Sequence, residues 1–371
     1  MASVALLAPL AAAYIAWGTV QTAAMKWAYT LAAPAAPARY GPYTYTFAHP
    51  FVQALAMFIA ELLCLVVFVA ILFLRYAMHH RQPRAGVDMA LPCNPTVWML
   101  PAAADFGASV LQNVGLTLTY ASVYQMLRGA VVVFIAALSY VWLHRRFSRR
   151  ECIGIGVVVI GLTLVGISAI MRPSPTTKTD SNVKVGGANR NPLLGAVLII
   201  AAQLLHAYQG VCEERLGKLY HVPPLQMVGT EGAYGVGMTL MLLSFLQLFP
   251  SAPFAHNIVG TIPDDVANAT VNLLVPYDDI VLAFDQMQQN TVCLISMIIY
   301  ILAGLFYNAC QITIIKKFSA ATCVMLGSLR NVTVWIVALA LPSVFEEHFD
   351  LLQLIGFCCL VAGNVVYQQR G

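Results

Sequence analysis

Two stretches of equal length decide how this chain is read: LRGAVVVFIAALSYVWLHRRFSRRECIGIGVVVIG, residues 127–161, and LRNVTVWIVALALPSVFEEHFDLLQLIGFCCLVAG, residues 329–363. At a constant offset of 202 positions, with no gap, Leu127 falls on Leu329, Arg128 on Arg330, Ala136 on Ala338 and Phe147 on Phe349. Further on, Ile153 falls on Ile355, Gly154 on Gly356, Val159 on Val361 and Gly161 on Gly363. Two unrelated apolar helices share valines and leucines by chance. An arginine and two glycines kept in register across a loop are a stronger coincidence. The loops differ in sign, HRRFSRR (144–150) standing against EEHFDLL (346–352). A segment duplicated and turned over in a membrane leaves this mark, because the same connector emerges on opposite faces and basic residues are kept on the cytosolic one.

The rest of the chain fits that reading. Of its 371 residues, 60% are apolar and 10% charged, where soluble domains carry about a quarter charged residues. Apolar runs at 4–27, 51–74, 97–118, 121–143, 152–170, 193–212, 225–249, 292–315, 320–341 and 351–367 are each long enough for roughly 30 Å of hydrocarbon. The expected fold is an all-α membrane protein of ten transmembrane helices, arranged as two inverted five-helix repeats. The first repeat covers residues 1–170 and the second 193–371, with a polar linker at 171–192. The opening MASVALLAPLAAAY has no basic residue ahead of its apolar run, unlike a cleaved secretory signal, so it is expected to stay as the first span.

Charge sets the orientation. Arg75, Arg81 and Arg84, the HRRFSRR connector, Arg215 with Lys218, and Lys316 with Lys317 fall on one side if the spans alternate. Asp264, Asp278, Asp279, Asp285 and Glu346 to Asp350 fall on the other. Both termini are therefore expected in the cytosol, although four basic residues within 171–192 run against the trend. The net charge of +4 is explained by topology and points to no nucleic-acid partner.

Polar side chains inside the spans mark the functional region, since in lipid they must face protein or a watery cavity. Asp105, Ser109 and Gln112 share a helix face, as do Gln203, His206, Gly210 and Glu213. Tyr300, Gly304, Tyr307 and Gln311 form a third stripe beside Asn308, and Gly327, Arg330 and Thr333 a fourth; the first span adds Tyr14, Gly18 and Gln21. The expected solute-binding set is Gln125, Arg128, Asn308, Gln311 and Arg330. Arginines on a cavity favour an anionic solute. Glu61, Asp105, His206 and Glu231 are candidates to carry a proton if transport is proton-coupled. The competing reading makes these charges mutually neutralising ion pairs, with His206 a hydrogen-bonded helix histidine.

Other chemistry is not indicated. The nine cysteines show no metal-type pairing or spacing with histidine, so no metal and no cofactor is expected. No zinc-protease motif, intramembrane aspartate pair or serine/histidine dyad suggests an enzyme. Spans five and ten are nearly all apolar, with glycines seven apart that suit close packing, either within the chain or across a homodimer. Asn268, in NAT, is a sequon in form; Asn331, in NVT, falls within a span.

Five blocks, GTVQTAAMKWA from Gly18, HPFVQALAMFIAE from His49, YQMLRGAVVVF from Tyr124, PPLQMVGTEG from Pro223 and KKFSAATCVMLGSLRN from Lys316, resemble the drug/metabolite transporter superfamily. Its members include nucleotide-sugar carriers and the malarial chloroquine-resistance transporter, and the closer likeness is to the F branch of the solute carrier 35 group. The resemblance implies a carrier of an intracellular membrane, endomembrane of the lysosomal or Golgi type or else mitochondrial. It places the cavity between spans one to four and six to nine, and makes five and ten supporting helices that some relatives use to dimerise. The chain lacks cysteines in its long outer loop, so the disulfide-pinned loop of the chloroquine-resistance branch does not carry over. The expected function is a secondary transporter moving a small, nucleotide-sugar-like anionic metabolite by alternating access. The alternative is a membrane adaptor that kept the fold and lost transport.

Overall fold

The computed structural model of the chain describes residues 2–79, 95–118, 127–142, 148–171, 192–220, 222–249, 255–261, 270–341 and 351–368. Long helices dominate: α1 (Ala2–Thr30), α3 (Pro50–His79), α4 (Met99–Leu118), α5 (Val131–Trp142), α6 (Arg149–Met171), α7 (Pro192–Leu219), α8 (Pro224–Leu248), α10 (Thr291–Lys317), α11 (Ala320–Ala340) and α12 (Leu351–Gln368). Two shorter helices, α2 (Pro37–Tyr40) and α9 (Ile280–Gln289), and four strands complete the described elements: β1 (Ala32–Pro34), β2 (Thr44–Thr46), β3 (Ala255–Thr261) and β4 (Thr270–Pro276). Within α3, α7 and α10, the stretches Pro50–Met78, Leu193–Leu219 and Thr291–Lys317 are long and apolar enough to cross a bilayer. Large apolar side chains such as Phe73, Leu193, Met241 and Leu248 stand at least two-thirds exposed. Such a surface is unfavourable in water and suited to lipid.

Local chemistry sets several helix starts. Ser148 and Glu151 form a reciprocal capping box at α6, Ser148 N donating to Glu151 Oε2 at 2.7 Å and Glu151 N to Ser148 Oγ at 3.3 Å. Asn290 Oδ1 accepts from Val292 N at the head of α10, and Ser319 Oγ from Thr322 N at the head of α11, both at 3.0 Å. The sixth apolar run ends at 212 in the sequence, yet α7 continues to Leu219. Its last turns are held from outside: Glu214 Oε2 accepts from Ala320 N at 2.9 Å and Glu214 Oε1 pairs with Lys218 at 2.6 Å. At the same end of the bundle Lys316 Nζ donates to Val222 O.

The helices pack in a definite set of pairs. α1 lies along α10 and touches α11; α7 lies along α4 and touches α5; α3 packs on α8 and α10, and α4 also on α8. α6 and α12 form the most extensive pair, and α5 meets α11. Glycine makes the α6–α12 crossing close. A Cβ on Gly161 would stand 2.8 Å from Gly356 O, and one on Gly363 would stand 2.7 Å from Gly154 O. The glycines seven apart therefore serve an intramolecular crossing. Gly161→Val is expected to lower stability by more than the ~1–3 kcal/mol usual for overpacking, because its Cβ would meet backbone atoms. Gly156→Val, where a Cβ meets nothing within 4 Å, is expected to be near neutral; thermal melting of the two purified variants in one detergent checks the contrast.

An all-α fold is not what the chain adopts outside the helices. The connector after α1 and the one after α8 share a four-stranded antiparallel sheet in the order β1-β2-β3-β4, joined across the two connectors at Thr44 and Thr261. Strands of three residues show no readable alternation, and the β3–β4 hairpin lies in a stretch taken for a loop. Beneath the sheet a buried polar cluster ties the connectors to the helices. Asp278 Oδ2 accepts from Phe51 N at 2.5 Å and Val52 N at 3.0 Å, capping α3 from the distant connector, while Asp278 Oδ1 meets His49 Nδ1 at 2.8 Å. Gln286 Nε2 donates to Tyr45 O and Ala33 O, which leaves its Oε1 to accept from His49 Nε2 at 2.9 Å. Both ring nitrogens of His49 thus donate, and the imidazole is a buried cation. Asp279 caps α9 through Val281 N and takes bonds from Tyr40 and Gln247.

Candidate functional site

Where α1, α3, α4, α5, α7, α10 and α11 converge, a cavity of about 180 Å³ opens. Of the nine residues singled out in the sequence, seven line it: Glu61, Asp105, Arg128, His206, Asn308, Gln311 and Arg330. Glu231 stands behind the wall on α8, beside Glu213. Gln125 lies outside the described residues.

Arg330 sits ten residues from either end of α11, about 15 Å along the axis, and is 6% exposed. Its Nη1 donates to Tyr307 Oη at 2.6 Å and its guanidinium carbon lies 5.1 Å from the centre of that ring. Tyr14 stacks on Tyr307 at 4.9 Å, with the two hydroxyls 3.2 Å apart. Gly18 makes room for this group: a Cβ there would come within 2.5 Å of Arg330 Cδ and 2.8 Å of the Tyr307 ring. Arg128 enters from a single 3₁₀ turn ahead of α5, half-buried above the buried Gly129.

Facing the arginines is a wall of carboxyl and amide groups. Glu61 on α3 accepts a long 3.4 Å bond from Asn308 Nδ2. Asp105 on α4 has its Oδ1 3.5 Å from His206 Nδ1. The hydrogen bonds then run in one direction. Gln112 Nε2, which can only donate, meets His206 Nε2, so that nitrogen accepts and the ring is neutral. His206 Nδ1–H donates to Gln209 Oε1 at 3.3 Å, and Gln209 Nε2 donates to Glu213 Oε1 at 2.9 Å. Glu231 lies next to Glu213 at the end of this chain of hydrogen bonds. His206 is both a hydrogen-bonded helix histidine and a lining residue of the cavity.

The geometry adds residues that the sequence-based set omitted. Glu213, 3% exposed, lay in the His206 stripe seven positions on, and that spacing could have selected it. Gln209 faces the same cavity one turn earlier. Tyr14, Gly18 and Tyr307 were visible as stripe members but their service to Arg330 was not. Among the described residues no cluster of histidine, cysteine, aspartate and glutamate has the arrangement of a metal site.

Known proteins share this design. The family model for nucleotide-sugar transporters matches residues 27–223. The human protein "Solute carrier family 35 member F6" is 33% identical over 96% of this chain and 87% of its own length, and the mouse protein of that name is 31% identical over the same shares. An uncharacterized protein of Schizosaccharomyces pombe is 28% identical over 85% of each chain. One solved crystal structure matches 98% of this chain and 97% of its own with a TM-score of 0.55 and 12% identity, a likeness of fold alone. With a relative a third identical along nearly its whole length, this chain is a membrane solute transporter and not an enzyme: it belongs to the nucleotide-sugar transporter family, in the F branch of solute carrier family 35.

Proposed function

We propose that the protein is a secondary carrier that moves a small anionic metabolite across an intracellular membrane by alternating access, with Arg330 and Arg128 at the solute site beside Asn308 and Gln311. The observation that carries this reading is the cavity itself, to which both halves of the chain contribute an arginine at matching positions. A transport-inactive adaptor has no use for a polar cavity built at this cost in buried charge.

The helix pairing supports two inverted repeats, residues 1–170 and 193–371 joined by 171–192. Exchanging α1 with α7, α3 with α8, α4 with α10, α5 with α11 and α6 with α12 turns the α1–α10 pair into α7–α4, and α1–α11 into α7–α5. The same exchange turns α3–α10 into α8–α4 and returns α3–α8, α5–α11 and α6–α12 to themselves. Such symmetry lets one half rock against the other around a midplane site. Cytosolic termini agree with the sheet, which unites the acidic connector after α8 with the one after α1, both on the outer face when the spans alternate. Where transport is coupled to protons, Glu61, Asp105, His206 and Glu231 are the groups proposed to carry them. The compartment is endomembrane or mitochondrial, as the resemblance suggests. A homodimer through α6 and α12 would use their outer faces, where Ile153, Ile160 and Ile355 are exposed.

Uptake of a panel of labelled anionic metabolites into proteoliposomes tests the proposal. Wild type is expected to transport at least one. Arg330→Ala, leaving buried acceptors without their cation, is expected to reduce that uptake about 100-fold while eluting as the same monodisperse species. Uptake that survives in Arg330→Ala would remove this residue from the site.

A further inference from the structure

The cavity gathers more acidic side chains than arginines, and one of them stands apart. Four carboxyl groups gather on one side: Glu61, Asp105 and Glu213 on the wall, with Glu231 behind. Glu213 and Glu231 lie side by side across the α7–α8 boundary. His206 adds no positive charge, since its Nε2 accepts from Gln112. Four acidic side chains then gather against two guanidinium groups, Arg128 and Arg330.

Glu61 is the acid on the cavity wall with an unpartnered oxygen. It is 6% exposed, it lines the cavity, and its Oε2 has no hydrogen-bond partner. The side chains of Asp105 and Glu213 that bear on it are acidic as well. A buried carboxylate in that position calls for a cation with N–H bonds to give. No metal-type cluster occurs among the described residues, and an amine brought by the solute would supply both the charge and the N–H bonds. The opposite pole is near: Asn308, which donates to Glu61, follows directly on Tyr307, which accepts from Arg330. The volume, about 180 Å³, falls below the ~300–1,000 Å³ of pockets for drug-sized ligands, so the solute is compact.

We infer that the transported solute is dipolar and of amino-acid size, with a protonated amine received by Glu61 between Asp105 and Glu213, and an anionic group received by Arg330. This rests on the carrier reading above and narrows its solute. A simple anion satisfies Arg330 and leaves the carboxylate pole repelled; a compound carrying both charges satisfies both poles at once.

Counterflow into proteoliposomes of the purified full chain tests the inference. Three sets of labelled probes are compared: α-amino acids, amine-free anions (the matching carboxylic acids, sugar phosphates and nucleotide sugars), and the matching amines without a carboxylate. The α-amino acid set is expected to exceed both others by about tenfold or more, the effect of one unmatched charge-assisted bond. Glu61→Gln is expected to abolish that preference with unchanged thermal melting. If Glu61→Gln fails to fold, Glu61→Asp keeps the charge and is expected to keep the preference at a lower rate. Counterflow confined to amine-free anions and indifferent to Glu61→Gln overturns the inference and leaves the carrier standing. The same holds if Glu61→Gln alters only the pH dependence of anion flow, for then Glu61 holds a proton and no amine. Absence of counterflow with every set, in monodisperse protein, overturns the inference and the carrier reading together.

Discussion

Gly232→Val is expected to leave little extractable folded protein. Gly229, Gly232 and Gly235 lie on the face of α8 that meets α3, and the approach is between backbones. A Cβ on Gly232 would stand 2.5 Å from Leu62 N and from Glu61 Cβ, and one on Gly229 would stand 2.4 Å from Leu65 N. Backbone atoms of a helix have no rotamer to escape into, so the helices must separate. The cost exceeds the ~1–3 kcal/mol typical of overpacking, in which side chains give way. Separation would also carry Glu61 away from Asn308 and Glu231 away from Glu213, so any protein that survives is expected to be inactive. Gly237→Val provides the control, because a Cβ there meets nothing within 4 Å. The yield of monodisperse protein and its melting temperature measure both variants.

The second large effect is expected at the far end of the same helix pair. Asp278→Ala removes the cap from Phe51 N and Val52 N and leaves the His49 imidazolium buried without its counter-ion. Breaking one partner of a buried ion pair costs about 3–5 kcal/mol, and the loss of the cap adds roughly 1 kcal/mol. The pair also gives stability a pH dependence. Burial works to lower the His49 pKa, but the hydrogen bond and charge of Asp278, the bond to Gln286 and the charge of Asp279 outweigh it, and the pKa rests above its ordinary 6.5. A raised folded-state pKa means stability present in full below about pH 6.5 and lost as pH rises through the higher folded value. Wild type is therefore expected to melt at lower temperature as pH climbs above neutral. His49→Gln, which cannot titrate, is expected to be less stable in acid and flat over that window. A steeper loss in His49→Gln than in wild type would rule out His49 as the group responsible.

Much of the helical frame was legible because hydrocarbon demands apolar runs of fixed length, and those runs are unbroken from 51 to 74 and from 292 to 315. The ends were less so. α7 runs on through CEERLGK because Glu213 turns into the cavity and Glu214 caps α11, the latter with a partner more than a hundred residues away that no local pattern announces. The sheet was invisible for a like reason, its short strands being defined by their pairing and not by their own composition. In the cavity, stripes at helical spacing located Asp105, His206, Asn308 and Arg330, since polar groups in lipid have few other reasons to align. The stripes gave the faces without the contacts. That Gly18 shelters Arg330, or that a glycine face on α8 presses Glu61 into place, depends on which helices lie together, a property of the folded bundle.

The sheet and its cluster also impose an order on biosynthesis. His49 and Asp278 are 229 positions apart, and Thr44 meets Thr261 across a similar interval. At about 5–20 residues per second, the ribosome needs roughly 10 to 45 s to deliver the second connector after the first. Through that interval α3 sits in the membrane with Phe51 N and Val52 N uncapped and β2 with a bare edge. The first half of the chain therefore waits, incomplete, for a piece of the second, and a chaperone that shields this edge during translation would act before the carrier has any cavity at all.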